Sequence, residues 1–301
     1  DGGLDIDLSG RVLDLRPVLA DDESGAGDEL PTFPALRLNG RFQRVLLEDD
    51  RLLDGVEANL VHDGITWRDV KIAGRLSEAG RFDLVATPLA GASGHEFILV
   101  SDDAGSALRS FGLFDRMVGG RLRTDGRADF DDFRKPMQAA IDIADFRIVR
   151  AEALAEVLRV TGSQDIQSAL AGEGIAFTRL TGDIERQDKV TRIRNARAVG
   201  AALGLSVEGV VDDGAGRINL SGLIVPAYQL SQALGSIPLL GPLIVGGKDE
   251  GLLATEFRLD GPADNPRVTV NPLTALAPGF LRDLFRFFGD RGGTAAPQPP
   301  R

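Results

Sequence analysis

Cysteine is absent from all 301 residues, which excludes disulfides, thiolate metal sites and a cysteine nucleophile. Histidine is nearly absent. His62 and His95 each stand beside a turn, so a solvated turn histidine is expected for both, and a metal pair lacks further ligands at a recognisable spacing. Aromatic residues make up only 6% of the chain, and the single Trp67 and single Tyr228 are expected in the core or at its rim. Leu, Val, Ile and Ala must therefore build the apolar surface, as smooth faces rather than aromatic pockets. Basic residues are outnumbered. A formal charge of −11 argues against nucleic acid, which needs clustered Lys and Arg, and disfavours anionic lipid headgroups except at a local patch. There is no run of about 18 apolar residues, so no membrane-spanning helix is expected. The chain starts at Asp1 without a charged-then-apolar leader, and it reads as a piece of a longer protein.

What is present points to strands. Hydrophobic residues reach 43%, ample for a core, and 37 Gly with 15 Pro suit many short strands and turns. Leu4, Ile6, Leu8 and Val12 alternate with Asp5, Asp7, Ser9 and Arg11, the period of two that gives a strand one apolar face. Further strands are predicted around 36–47, 55–62, 66–76, 81–86 and 97–100. Turn signals at Asp54-Gly55, Asp63-Gly64 and Ala79-Gly80 imply an antiparallel meander. The acidic stretch 21–29 reads as a loop. A helix is predicted over 102–117 with Asp102 as N-cap, then Gly119-Gly120 opening a strand over 121–130, and another strand over 137–149. A second helix, 151–160, carries Leu154, Val157 and Leu158 on one stripe. Strands over 190–199, 204–211 and 216–225 put Leu205, Val207 and Val211, then Ile218, Leu220 and Ile224, on an inner face. The order helix, glycines, strand recurs at 102–130, 163–186 and 227–260, the pattern of a unit that buries its apolar face by stacking. Residues 289–301 read as a disordered tail.

Catalytic motifs fail on inspection. Gly241 to Lys248 has the look of a phosphate-binding loop, but Gly247 stands where its Lys belongs and Lys248 where its Ser or Thr belongs. Gly172 and Gly174 begin a dinucleotide fingerprint that Phe177 breaks, and Gly91, Ser93 and Gly94 miss the spacing of a nucleophile elbow. The acidic doublets Asp49-Asp50, Asp102-Asp103, Asp131-Asp132 and Asp212-Asp213 match no calcium loop and read as turns or a helix cap. Nothing in these patterns calls for an enzyme, a metal or a cofactor.

The most distinctive stretch is 235–288. A strand over 251–260 alternates Leu253, Thr255, Phe257 and Leu259 with Ala254, Glu256, Arg258 and Asp260. Gly261-Pro262 to Asn265-Pro266 turns the chain into a second strand with Val268 and Val270 on one face. Beyond it Leu276, Phe280, Leu281, Leu284, Phe285 and Phe288 recur near helical spacing. Ile237-Pro238, Gly246-Gly247, Gly251-Leu252, Gly261-Pro262, Asn265-Pro266, Asn271-Pro272 and the run Ala275 to Phe285 resemble the C-terminal end of AsmA-like proteins. The likeness is in particular to the large YhdP/TamB-like envelope proteins. Leu13-Asp14-Leu15-Arg16 and Asp103-Ala104-Gly105 look like elements of the same family, and the resemblance extends over 1–288.

The resemblance implies a bridge-like lipid carrier in the periplasm between two membranes, held at the inner membrane by a segment outside this chain. The fold expected is mainly β, a long curved antiparallel sheet, open as a groove or closed as a sandwich, with a few short amphipathic helices. In the groove reading, phospholipid acyl chains lie on Leu205, Val207, Ile218, Leu220, Leu253, Phe257, Leu259, Val268 and Val270. The helix bearing Phe280, Leu281, Leu284, Phe285 and Phe288 then plugs the groove, meets the outer-membrane surface or an envelope partner, or simply packs on the sheet end. The competing reading is a non-transporting envelope scaffold built on a closed sandwich.

Overall fold

The computed structural model describes residues 3–17, 33–47, 51–76, 80–132, 134–150, 174–226 and 253–275. These form β1 (Leu4–Asp14), β2 (Ala35–Leu46), β3 (Leu52–Asp63), β4 (Trp67–Leu76), β5 (Arg81–Pro88) and β6 (His95–Ser101). A short helix α1 (Ala104–Ser110) follows, then β7 (Met117–Ala128), β8 (Met137–Ile148), β9 (Ile175–Gln187) and β10 (Val190–Val199). The last four strands are β11 (Leu203–Asp212), β12 (Arg217–Pro226), β13 (Leu253–Pro262) and β14 (Arg267–Ala275). All fourteen strands lie in one sheet in chain order, and the sheet is curved and open rather than closed into a barrel. The mainly β expectation therefore holds, as a single open sheet in place of a sandwich. No helix among the described residues is long and apolar enough to cross a membrane.

Two expectations need correction. Every neighbouring pair is antiparallel except the first: β1 runs parallel to β2, with Leu4 opposite Leu36 and Leu13 opposite Val45. A parallel pair needs a connection that returns along the whole strand, and residues 15–34 are long enough to make it. The helix predicted over 102–117 is only seven residues long, and Asp103, not Asp102, caps it by accepting the Ser106 N–H at 2.9 Å. Gly112 ends the turn at φ +68, a left-handed conformation that suits glycine, and β7 begins before Gly119-Gly120 rather than after it. The helix is tethered from one side. A Cβ on Gly105 would lie 2.4 Å from the Met117 carbonyl oxygen, so only glycine lets α1 approach β7 so closely.

Curvature has identifiable sources. Asp145 in β8 and Asn195 in β10 adopt left-handed φ of 56° and 51°, and the pairing of β10 with both neighbours shifts register at Asn195. The bulge at Asn195 sharpens the local twist and bends its strand, and Asp and Asn tolerate the left-handed conformation better than most residues. The bent sheet gathers side chains of one face into a core at the α1 end, where Phe82, Met117, Ile143, Phe146, Phe177 and Ile224 pack with Ala104 and Ala107. A smaller cluster, Val70, Ala86, Phe97 and Ala139, lies toward the other end with Trp67 and Phe130. The helix predicted over 151–160 and the helical parts of the second and third recurring units lie outside the described residues, as do the loop over 21–29 and the tail.

Phe146 is 2% exposed and stacks on Phe177 across the β8–β9 pair with ring centroids 5.3 Å apart. Phe146→Ala is expected to lower unfolding free energy by about 3–5 kcal/mol. Ile98→Ala, on the opposite face and 40% exposed, is expected to cost under about 1 kcal/mol in the same urea titration.

Candidate functional site

The register creates one surface that no single strand possesses. A transverse row crosses the sheet through directly paired residues. It runs Ile6, Leu38, Leu60, Val70, Ala86, Phe97 and Gly126, and continues Ala139, Ile184, Ile193, Gly209, Leu220, Leu259 and Val268. All fourteen strands contribute and none contributes a charge. A neighbouring row on the same face passes through Ala58, Ile72, Leu84, Leu99, Thr124 and Ile141, and reappears as Val207, Gly222, Phe257 and Val270. With strands about 4.8 Å apart, the first row is roughly 60 Å long, about twice the hydrocarbon thickness of a bilayer.

The sequence-predicted groove residues fall together on this face. Leu220, Leu259 and Val268 belong to the first row, Val207, Phe257 and Val270 to the second. Leu205 lies opposite Ile224, and Ile218 opposite Val211. Leu253 opens β13, and its side chain is outside the described residues. Phe257 is buried at 5% exposure, whereas the other seven are half-buried. The face is therefore filled by its own side chains near Phe257, and at Val70, Ala86, Phe97 and Ala139 in the first row, and is more open at the other seven predicted positions. The helix with Phe280, Leu281, Leu284, Phe285 and Phe288 lies outside the described residues, as do Tyr228 and the Gly241–Lys248 motif.

The reverse face carries the charge. Its rows mix acids and bases that pair across strands: Arg179 grips the Asp142 carboxylate through two nitrogens, and Arg194 meets Glu185 at 3.3 Å. The Asp142 hydrogen bond raises the Arg179 pKa above its ordinary value. A cleft of about 750 Å³ crosses this charged face between β5 and β10, among Glu96, Asp125, Arg127, Asp183 and Arg194. The cleft is open to solvent and mixes these charges with Val85, Ile98 and Ala140. We place the candidate site on the apolar face, because the cleft's opposite charges largely satisfy one another, as in the 3.5 Å Arg127–Glu96 pair.

Both histidines contradict the solvated-turn expectation. His62 is 5% and His95 0% exposed, because the pairings Leu36–His62 and His95–Ala128 put them on the apolar face. With Phe33, Trp67, Phe130 and the 129–135 turn they form a polar plug at the end of the sheet opposite α1. His95 Nε2 lies 2.7 Å from the Trp67 carbonyl, which can only accept, so Nε2 carries the proton and Nδ1 accepts the Phe130 N–H at 3.3 Å. His62 Nδ1 accepts the Gly64 N–H at 3.0 Å, and its ring stands edge-on to Trp67 at 4.9 Å. Asp131 accepts from the Thr66 hydroxyl at 2.5 Å and the Trp67 N–H at 3.2 Å. His95, Asp129 and Asp131 present ligand atoms within 4.8 Å of one another, the geometry of a possible cation site. The occupied His95 nitrogens and the Lys135 ammonium on Asp129 already satisfy that cluster, and the Asp129 hydrogen bond raises the Lys135 pKa. The plug is structural. Its signal was in the sequence: His62 continues the phase of Ala58 and Leu60, and His95 that of Phe97 and Leu99.

Trp67 is the sole tryptophan, so it reports on the plug directly. Asp131→Ala strands the Trp67 N–H and Thr66 hydroxyl and is expected to cost about 1–3 kcal/mol, with red-shifted Trp67 emission before global unfolding. The turn beside it gives a pH signature. Asp63 is held down to about 2 by the backbone N–H groups of Thr66 and Ile65 first, then by Arg68. A carboxylate lowered in the folded state contributes stability above its ordinary value of 3.8, and that contribution fades as pH falls toward about 2. The melting-temperature gap between wild type and Asp63→Asn is expected to be constant at neutral pH and to close across that window.

No family model, curated protein or solved structure matches this chain, so the chemistry of its apolar face is the guide to what it does.

Proposed function

We propose that the apolar face is a lipid-binding groove that shelters phospholipid acyl chains and passes them along the sheet between inner and outer membranes. In this reading the chain serves outer-membrane biogenesis from the periplasm, as part of a protein anchored in the inner membrane by a segment outside this chain. The observation that carries the proposal is the uncharged row through all fourteen strands. A fold that needs only a core has no use for an apolar band that continues to the half-exposed edge, where Leu4 and Leu8 are 52% and 44% exposed.

The energetic case is one of magnitude. A methylene gains roughly 0.8 kcal/mol on leaving water, so a phospholipid with about thirty of them loses on the order of 20 kcal/mol on leaving a bilayer for water. A continuous aliphatic surface removes most of that barrier without chemistry. Leu, Val and Ile contact acyl chains without selecting a headgroup. Charged residues on the other face keep the strand backs wet, so a lipid is held on one side only.

A second reading, a non-transporting scaffold, is favoured by the α1 end, where Phe146, Phe177 and Ile224 already fill the face. Native mass spectrometry with lipid extraction separates the two. The probe residue must be half-buried, since a charge at Phe257 would disrupt packing outright. Val207→Asp is expected to lower co-purifying phospholipid roughly tenfold, equivalent to about 1.4 kcal/mol. Val85→Asp, on the charged face and 40% exposed, is the control and should leave it unchanged. A lipid-free wild type that takes up no added fluorescent phospholipid favours the scaffold.

A further inference from the structure

The sheet has two open lateral edges. Among the described residues no strand lies beyond β1 on one side or beyond β14 on the other, so each edge presents backbone N–H and C=O groups without a ladder partner. Edges are normally blunted by proline, by bulges or by shortness. β1 is eleven residues long, carries no proline and holds one register against β2 throughout. Its Leu4 and Leu8 are 52% and 44% exposed. β14 is guarded only partway: Pro272 lacks an N–H, which leaves 267–271 able to pair.

The two edges fit each other. β1 and β2 are parallel and every later pair is antiparallel, so an even number of reversals leaves β14 running in the direction of β1. A second copy in the same orientation can therefore add its β1 to β14 as a parallel strand. The uncharged row begins at Ile6 and ends at Val268, and setting those residues opposite each other carries it unbroken into the next copy. The same register puts Leu8 opposite Val270 and, on the reverse face, Asp5 opposite Arg267. Asp5 and Arg267 are exposed, and neither has a hydrogen bond or ion pair among the described residues. Asp5 stands across from Arg37 on β2, and Arg267 across from Asp260 on β13. The join therefore continues an alternation of sign through Asp260, Arg267, Asp5 and Arg37. A slip of one residue would set Asp5 against Val268 and lose both matches. A slip of two would offer Asp7, which already accepts from the Asn39 amide at 2.9 Å, and would leave Val270 facing Gly10.

We propose that the chain associates head-to-tail with further copies of itself, the β14 edge of one taking the β1 edge of the next, so that the apolar face continues across the join. The contact is heterologous and open-ended, and its short ladder makes it weak and reversible. It needs no lipid on the apolar face, so it is tested apart from acyl-chain carriage. The test is oxidative cross-linking of the full chain at high concentration, which is clean because the chain has no cysteine of its own. Leu8→Cys with Val270→Cys puts thiols on opposed residues about 4.8 Å apart at Cα, within the range a disulfide accepts. The two positions of one chain lie roughly 60 Å apart across the sheet, so they cannot join each other. This double variant is expected to give dimers, trimers and longer species on a non-reducing gel, roughly tenfold above Leu4→Cys with Val270→Cys, which is out of register. In the double-cysteine background, Asp5→Arg or Arg267→Asp alone should lower the cross-linked fraction about threefold, and the two together should recover most of it. If the cysteine pair melts early by circular dichroism, sedimentation velocity supplies the second readout, with a mass that rises with concentration in wild type and less in Asp5→Arg. Cross-linking no better than the out-of-register pair, Leu8→Cys alone forming as much dimer as the pair, charge reversals without effect, or a wild type of one mass at every concentration would overturn the assignment.

Discussion

Everything in this molecule depends on strand register. Side chains alternate with a period of two, so a slip of one residue at any interface would send that strand's apolar set to the charged face and its charges inward. The apolar face stays continuous across every neighbouring pair, although register shifts interrupt the β3–β4 pair, β10 at Asn195 and the β13–β14 pair, and Asp145 kinks β8 with a left-handed φ. At β10 the phase is recovered within a few residues: Ile193 stays opposite Ile184, and Ala198 returns opposite Leu180. The uncharged row is the cumulative result. A single out-of-phase strand would interrupt it with a carboxylate or guanidinium.

The two ends of the sheet are finished by different physics. At one end α1 lies close against β7, made possible by Gly105, and its alanines bring a small apolar cap onto the face. At the other, residues from the β3–β4 and β7–β8 turns and the start of β6 meet in a hydrogen-bonded plug. Buried polar groups are tolerable only when their partners are complete, and here each His95 nitrogen and both Asp131 oxygens have one. An imidazole suits this role, since it can donate at one nitrogen and accept at the other. The middle of the face, between cap and plug, is left to uncharged, mostly aliphatic side chains with Phe97 and Phe257 among them.

That division leaves an acidic protein with one uncharged band across its sheet. Among the described residues the charge lies chiefly on the reverse face, where opposite charges pair, and in turns; Arg186 near the end of β9 is an exception, and no charge interrupts the two apolar rows. Such pairs add little stability individually, but they keep the back of the sheet soluble while the front stays apolar.

Strand existence, the alternating faces and the membership of Leu205, Val207, Ile218, Leu220, Phe257, Leu259, Val268 and Val270 in one surface were legible in the residues alone. Each rests on a local pattern, and turn residues such as Asp63-Gly64 marked where each pattern stopped. The parallel pairing of β1, the burial of His62 and His95, and the brevity of α1 were decided by tertiary structure. Local sequence cannot tell on which side a neighbouring strand will lie. A histidine beside a turn looks solvated until a distant Asp131 or a β4 carbonyl meets it. A helix with a sound N-cap still ends where Gly112 turns it and β7 needs the chain. Periodicity by itself determined which residues share a face, because the pleat is a property of one strand. What that face meets at its two ends was settled only in the fold, because those contacts join residues up to 65 positions apart.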